Sequence, residues 1–202
     1  MLLNTFEYWE RRIGAAAALV PLIPIFVGLG RGLRRPAGRV TGEAGKLLQL
    51  PVYILIGIPY FGFCVLLWRP LRLVLSTPAR IVALILGTLL YFPGLALALW
   101  GRLTLGNMYN VSSGFGVQLY ADHQLITCGP YAFVRHPIYL GIQIAALGGL
   151  FIYRTWTLVF LALNSLGLTV RAHREEQALA AEFGEQWREY CQHVPAWIPR
   201  RS

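Results

Sequence analysis

Apolar residues fall into five long runs, and the stretches between them hold nearly all the charge. The runs extend from about Ile13 to Gly30, Leu47 to Trp68, Ala79 to Gly101, Pro137 to Tyr153 and Trp156 to Val170. A helix needs roughly 20 apolar residues to cross about 30 Å of hydrocarbon. The first three runs meet that length and, apart from Arg80 at the edge of the third, hold no Lys, Arg, Asp or Glu, which lipid-facing helices tolerate poorly. Pro21, Pro24, Pro51, Pro59 and Pro93 lie inside them, at kinks that neighbouring helices can satisfy. Only Arg154 and Thr155 separate the last two, shorter runs. This spacing predicts a helical hairpin whose second arm continues beyond the membrane to Phe183 and stops at Gly184, a glycine just past a helix end. The expected fold is an all-α, polytopic membrane protein of about five transmembrane helices with a cytoplasmic C-terminal helical cap. Glu7, Glu10, Arg11 and Arg12 precede the first run with no clean cleavage site, so it reads as a retained span and not a signal peptide.

Composition agrees with the pattern. Of 202 residues, 56% are hydrophobic and 13% charged, about half the charged fraction of an average soluble domain. This excludes a disordered chain and argues against a soluble enzyme. The formal net charge is +9, yet the basic residues flank apolar runs and form no stripe, which argues against nucleic acid. Five spans put twelve of them on one side: Arg31, Arg34, Arg35, Arg39, Lys46, Arg102, Arg135, Arg171, Arg174, Arg188, Arg200 and Arg201. Six remain on the other: Arg11, Arg12, Arg69, Arg72, Arg80 and Arg154. Positive charge favours the cytoplasm, so the long loop and the tail are expected there and the N-terminus outside. Compactness and short termini predict a prokaryotic inner membrane. Cys64, Cys128 and Cys191 share no ligand spacing, so neither a disulfide framework nor a metal site is expected. No repeat or linker divides the chain. A single membrane domain is expected over 1–202, with three helices in 1–101 and the chemistry in 102–202.

Polar residues concentrate in two places. The first is the 36-residue stretch Arg102 to Pro137, and loops that long are usually functional or disordered. It ends in Gly129-Pro130, a turn signal, and His136-Pro137, a helix start. Arg135 and His136 would sit at that helix N-terminus, whose free N–H groups and dipole attract a carboxylate. The second place is Arg171 to Tyr190, which holds five of the nine acidic residues. Arg171 and Glu175 share a helix face there. Taken singly, these features describe a headgroup anchor, a cap, a surface ion pair and interfacial tyrosines.

The combination says more. Gly-Pro-Tyr-x-x-x-Arg-His-Pro-x-Tyr-x-Gly (Gly129 to Gly141) precedes the hairpin, and Arg-x-x-x-Glu-Glu-x-x-Leu-x-x-x-Phe-Gly (Arg171 to Gly184) follows it, with Tyr190 and Val194-Pro195 beyond. From about Leu105 to Pro199 the chain resembles the isoprenylcysteine carboxyl methyltransferase family and its relatives, the phospholipid methyltransferases. The resemblance implies an integral membrane enzyme that uses S-adenosylmethionine. Position by position, it implies that His123, Gln124, Leu125, Ile126, Tyr131, His136, Pro137, Ile138, Tyr139 and Glu175 line the cofactor and that Arg171 faces the acceptor. A carboxylate suits the cofactor's ammonium or a ribose hydroxyl, the helix start its carboxylate, and Tyr131, Tyr139, Leu125 and Ile126 its adenine. No catalytic residue is singled out, because displacement at a sulfonium needs alignment above all. A carboxylate acceptor is already ionised and could be oriented by Arg171, whereas an amine or thiol must lose a proton, to His123, His136 or His173. Prenylated cysteine, an aminophospholipid, a quinone-like lipid and a small thiol all stay open as acceptors. The rival readings are an NADPH-dependent membrane sterol-type reductase, from which Ile142 after Gly141 departs, and a non-enzymatic membrane scaffold.

Overall fold

Proline and glycine set most of the helix boundaries. In a computed structural model, which describes residues 2–32, 37–42, 50–109, 112–113 and 116–199, helix α1 (Leu2–Leu19) ends just before Pro21 and α2 (Leu22–Gly32) follows. Strand β1 (Ala37–Gly42) and α3 (Leu50–Leu66) come next. Ser76 opens α4 (Thr77–Leu105): its hydroxyl accepts from the Ala79 amide at 3.5 Å, and Pro78 sits in the first turn. Gly106, at φ 50°, ends that helix in a conformation glycine adopts without strain. Beyond it lie a 3-10 turn (Gly106–Met108), strands β2 (Ser112–Ser113) and β3 (Gly116–Tyr120), and a second 3-10 turn (Gly129–Ala132). Pro137 then starts α5 (Pro137–Tyr153), which Arg154 and Thr155 join to α6 (Trp156–Ser165). Leu166 keeps helical dihedrals into α7 (Gly167–Phe183), and Gly184, at φ 52°, separates that helix from α8 (Glu185–His193). The helix start at Pro137 and the stop at Gly184 stand where the sequence predicts them, whereas the single arm expected from Trp156 to Phe183 is two helices that meet at Leu166. Leu47, where the second run begins, and Arg34, Arg35, Lys46, Arg200 and Arg201 lie outside the described residues.

Two segments, Leu2–Gly28 and Thr77–Met108, are helical, long and apolar enough to cross a membrane. The apolar helices at 54–66 and 137–153 are shorter. The first run differs from the expectation. Its helix begins at Leu2, not near Ile13, breaks at Val20–Pro21, and carries Glu7, Glu10, Arg11 and Arg12 within it. The reason is tertiary. Glu7 is 7% exposed and pairs with Arg11 at 2.6 Å, with Arg80 of α4 at 2.6 Å, and with Arg154. Glu10 accepts from Thr88, Tyr91 donates to the Gly14 carbonyl at 3.0 Å, and Tyr153 to that of Arg11 at 2.8 Å. Charge inside this helix is matched by charge on its neighbours, which is what makes burial tolerable.

The chain is mostly helical, as expected, with an addition. β1, β3 and β2 form a three-stranded antiparallel sheet in that order, with Val40 opposite Gln118 and Ser112 opposite Val117. Val117 and Leu119 pack on Ala178 of α7. Part of the expected loop is therefore a wall held against a helix.

α4 and α5 meet antiparallel along small residues. A Cβ on Gly94 would lie 2.5 Å from the Ala145 amide nitrogen, and one on Gly141 2.6 Å from that of Ala98. Both obstacles are backbone, so neither can yield, and close approach through small residues is how helices associate in lipid. Gly141→Leu is expected to lower unfolding stability by about 3 kcal/mol, the upper end for overpacking, in denaturant titrations in detergent. The neighbouring Ile142→Leu should stay within about 1.5 kcal/mol of the parent.

Candidate functional site

The Gly101 end of α4 lies roughly 30 Å from its Arg80 end, and there the loop, α5 and α7 converge. Tyr131 donates to the Gly101 carbonyl at 3.4 Å, and Tyr190 of α8 donates to the Tyr131 carbonyl at 2.6 Å. The 194–196 segment lies alongside: the Arg135 amide donates to the Pro195 carbonyl at 2.9 Å and the His136 amide to that of Ala196 at 3.2 Å. An open cavity lies between these elements. His123, Gln124, Leu125, Ile126, Tyr131, His136, Ile138, Tyr139, Arg171 and Glu175 all line it. Pro137 does not. It is fully buried, packed beside Gly101 of α4. His173 is exposed and bonded to Gln177 at 3.0 Å, so of the three histidines considered as proton acceptors only His123 and His136 face the cavity.

Polar groups of the cavity wall form a connected chain. The Tyr139 hydroxyl donates to Glu175, and the Arg171 guanidinium lies 3.6 Å from the same carboxylate oxygen and 5.2 Å from the Tyr139 ring centroid. The His136 ring stacks on Tyr139 with centroids 5.7 Å apart and planes 7° from parallel. Burial pushes the Tyr131 and Tyr190 phenols above their ordinary pKa, so both are neutral donors at physiological pH. Ile25, Leu105, Ile138, Ile142 and Leu168, from the membrane-type helices and the start of α7, add aliphatic surface to the wall. A mostly apolar wall with a few convergent polar groups is the usual make-up of a small-molecule site.

The two members of the Glu pair face different ways. Glu176 is not in the cavity wall. It accepts from Arg135 Nε at 3.0 Å and pairs with His136 Nε2 at 2.9 Å, while Arg135 Nη1 reaches the Val194 carbonyl at 2.7 Å. The helix start that the sequence offered to a ligand carboxylate thus already has the protein's own carboxylate beside it. Burial alone would raise the Glu176 carboxyl, but the His136 hydrogen bond and the charges of His136 and Arg135 outweigh it and hold the group below its ordinary value of 4.5. A lowered carboxyl stabilises the fold above its unfolded pKa, and that stability is lost as pH falls through the folded value. The melting-temperature gap between the parent and Glu176→Gln is therefore expected to close as pH falls below about 5, as read by thermal melts at decreasing pH.

Comparison with known proteins follows the same elements. The model of the isoprenylcysteine carboxyl methyltransferase family matches residues 83–181, from within α4 to the end of α7. That stretch, just under half of the chain, is similar to the isoprenylcysteine carboxyl methyltransferase family. A protein-S-isoprenylcysteine O-methyltransferase of Schizosaccharomyces pombe is 39% identical over 80 residues, covering 39% of this chain and 34% of that protein. Methanethiol S-methyltransferase 1 of Bradyrhizobium diazoefficiens is 41% identical over 73 residues, covering 36% of this chain and 25% of its own length. A Delta(14)-sterol reductase of Mus musculus is 39% identical over 82 residues, covering 36% and 18%. The chain thus spans about a third or less of each of these curated relatives.

Cavity residues also come from outside the matched stretch: Ile25 before it, and Trp187 and Tyr190 after it. Met108, Tyr109, Val117, Leu119 and Leu179 lie within it but are missing from the sequence-derived set. Tyr109 carried a usable signal, as an aromatic residue in a long polar loop. The others reach the cavity only through strand pairing and helix packing, which no local pattern reports.

Proposed function

We propose that this chain is an integral membrane methyltransferase that moves a methyl group from S-adenosylmethionine to a lipophilic acceptor, an isoprenylcysteine carboxylate or a similar lipid-like molecule. The supporting observation is that residues from stretches on either side of α5 and α6, His123 to Tyr139 and Arg171 to Glu175, line one cavity of mixed chemistry. The donor set fits the cofactor: Glu175 offers a carboxylate for an ammonium or hydroxyl, and Tyr131, Leu125 and Ile126 offer flat and aliphatic surface to a purine. When bound, the cofactor supplies a methyl group on a sulfonium, a leaving group that needs no acid. The chain's own task is alignment. Glu175, braced by Tyr139, holds the polar end of the ligand, and Arg171, beside the same carboxylate, orients an acceptor carboxylate. Where the acceptor must lose a proton, His123 and His136 are the bases at the cavity. Ile25, Leu105, Ile142 and Leu168 receive the acceptor's apolar portion, so its tail stays in hydrocarbon. Five spans, a hairpin of the last two and a cytoplasmic cavity mouth belong to the same proposal.

A second reading has its own support in the sterol reductase among the relatives. Thermal melts of the purified protein separate the two, because a ligand that binds only the folded state raises its melting temperature. S-adenosylhomocysteine is expected to stabilise the protein and NADPH to have no effect. Stabilisation by NADPH alone would replace the methyltransferase with a reductase, and a shift by neither would favour a scaffold.

A further inference from the structure

Arg102 belongs to no motif and does not line the cavity, yet it is 5% exposed near the end of a membrane-length helix. Its Nη2 donates to the Pro24 carbonyl of α2 at 2.5 Å and its Nη1 to the Gly106 carbonyl at 3.1 Å. The guanidinium also lies 4.1 Å from the centroid of the Tyr109 ring. A planar arginine fork serves such a set of partners at once, which an ammonium cannot do. Gly28 makes the seat: a Cβ there would fall 2.0 Å from Nη2 and 3.1 Å from the Tyr109 ring. Two of these partners lead directly to the cavity, since Ile25 follows Pro24 and Tyr109 is itself in the wall. At its other end α2 hangs on the break at Val20–Pro21, where the Ile23 amide donates to the Val20 carbonyl at 3.3 Å.

We propose that Arg102, seated in the gap left by Gly28, is a positioning residue that latches α2 against the cavity and so controls how the acceptor, but not the cofactor, is held. The division follows from the lining. Among the described residues, α2 contributes only the aliphatic Ile25 to the wall, whereas Tyr139, Arg171 and Glu175 come from α5 and α7. Acceptor selectivity would then be set partly by an element outside the family-matched residues. The latch stands on geometry alone, and only its kinetic consequence rests on the methyltransferase reading.

Hydrogen exchange in detergent reads the latch directly. In Arg102→Met, amides of 22–32 are expected to exchange roughly tenfold faster or more, the effect of losing a charge-assisted hydrogen bond, with α5 unchanged. Gly28→Ala should do the same from a different element, by displacing the guanidinium. The double variant should be no worse than Arg102→Met alone, because the two changes remove one interaction. Arg102→Lys should restore part of the protection. The dissociation constant for S-adenosylhomocysteine should stay within about twofold in every variant, while KM for N-acetyl-S-farnesylcysteine rises about tenfold at similar kcat. Unchanged exchange in 22–32 overturns the latch. Loss of S-adenosylhomocysteine affinity in step with KM overturns its restriction to the acceptor side. If the parent protein binds no S-adenosylhomocysteine, the methyltransferase reading fails while the exchange comparison still decides the latch.

Discussion

Glu175→Ala is expected to weaken S-adenosylhomocysteine binding roughly 10- to 100-fold, the loss of a hydrogen bond to a charged group, with the fold intact. The carboxylate accepts from Tyr139, faces Arg171 and lines the cavity, so its removal strips the polar wall of its anion. The fold should tolerate this, because the side chain is 22% exposed and water can reach the groups left behind. Isothermal titration against a melting curve separates the two effects. Equal binding by the variant would return Glu175 and Arg171 to a surface ion pair of little worth. Arg171→Ala provides the contrast: turnover should fall while cofactor affinity is retained.

Glu7→Ala is the opposite experiment, with a large stability effect and none on binding. Glu7 faces three guanidiniums, those of Arg11, Arg80 and Arg154. Without it, three like charges confront each other across α1, α4 and the α5–α6 turn. Breaking a buried ion pair by removing one partner costs about 3 to 5 kcal/mol. The lower end applies here, since Arg11 and Arg80 keep 38% and 30% of their side chains exposed. Unfolding titrations should show the loss, and the fraction that stays folded should bind S-adenosylhomocysteine as the parent does, because the cavity lies at the other end of α4. The same variant with Arg80→Met should recover part of the stability, because it relieves the repulsion.

Features that depend on local stereochemistry were legible in the sequence. Pro137 starts a helix and Gly184 ends one because of their own backbone limits, and the structure has both in place. The resemblance drew Tyr131, His136, Tyr139, Arg171 and Glu175 together, and all five line one cavity. Features that depend on distant partners were not legible. Glu7 and Glu10 look like a polar flank in one dimension; their place inside α1 follows from Arg80, Thr88 and Arg154, on other elements. β1 shows no strand alternation, and its pairing with β3 joins residues about 80 positions apart. The Glu pair illustrates the limit within one motif. Neighbouring helix positions point about 100° apart, so the two carboxylates had to diverge, but only the packing of α7 on α5 decides that Glu175 takes the cavity and Glu176 takes Arg135 and His136.

The proposed function depends on one adenosyl ligand bridging two stretches that the chain keeps apart. Hydrogen exchange of the purified protein with and without saturating S-adenosylhomocysteine tests this most directly. Peptides spanning 123–139 and 171–179 should gain protection together, and peptides around Glu7 should not respond. Protection of one stretch without the other, or of neither at saturation, would contradict it.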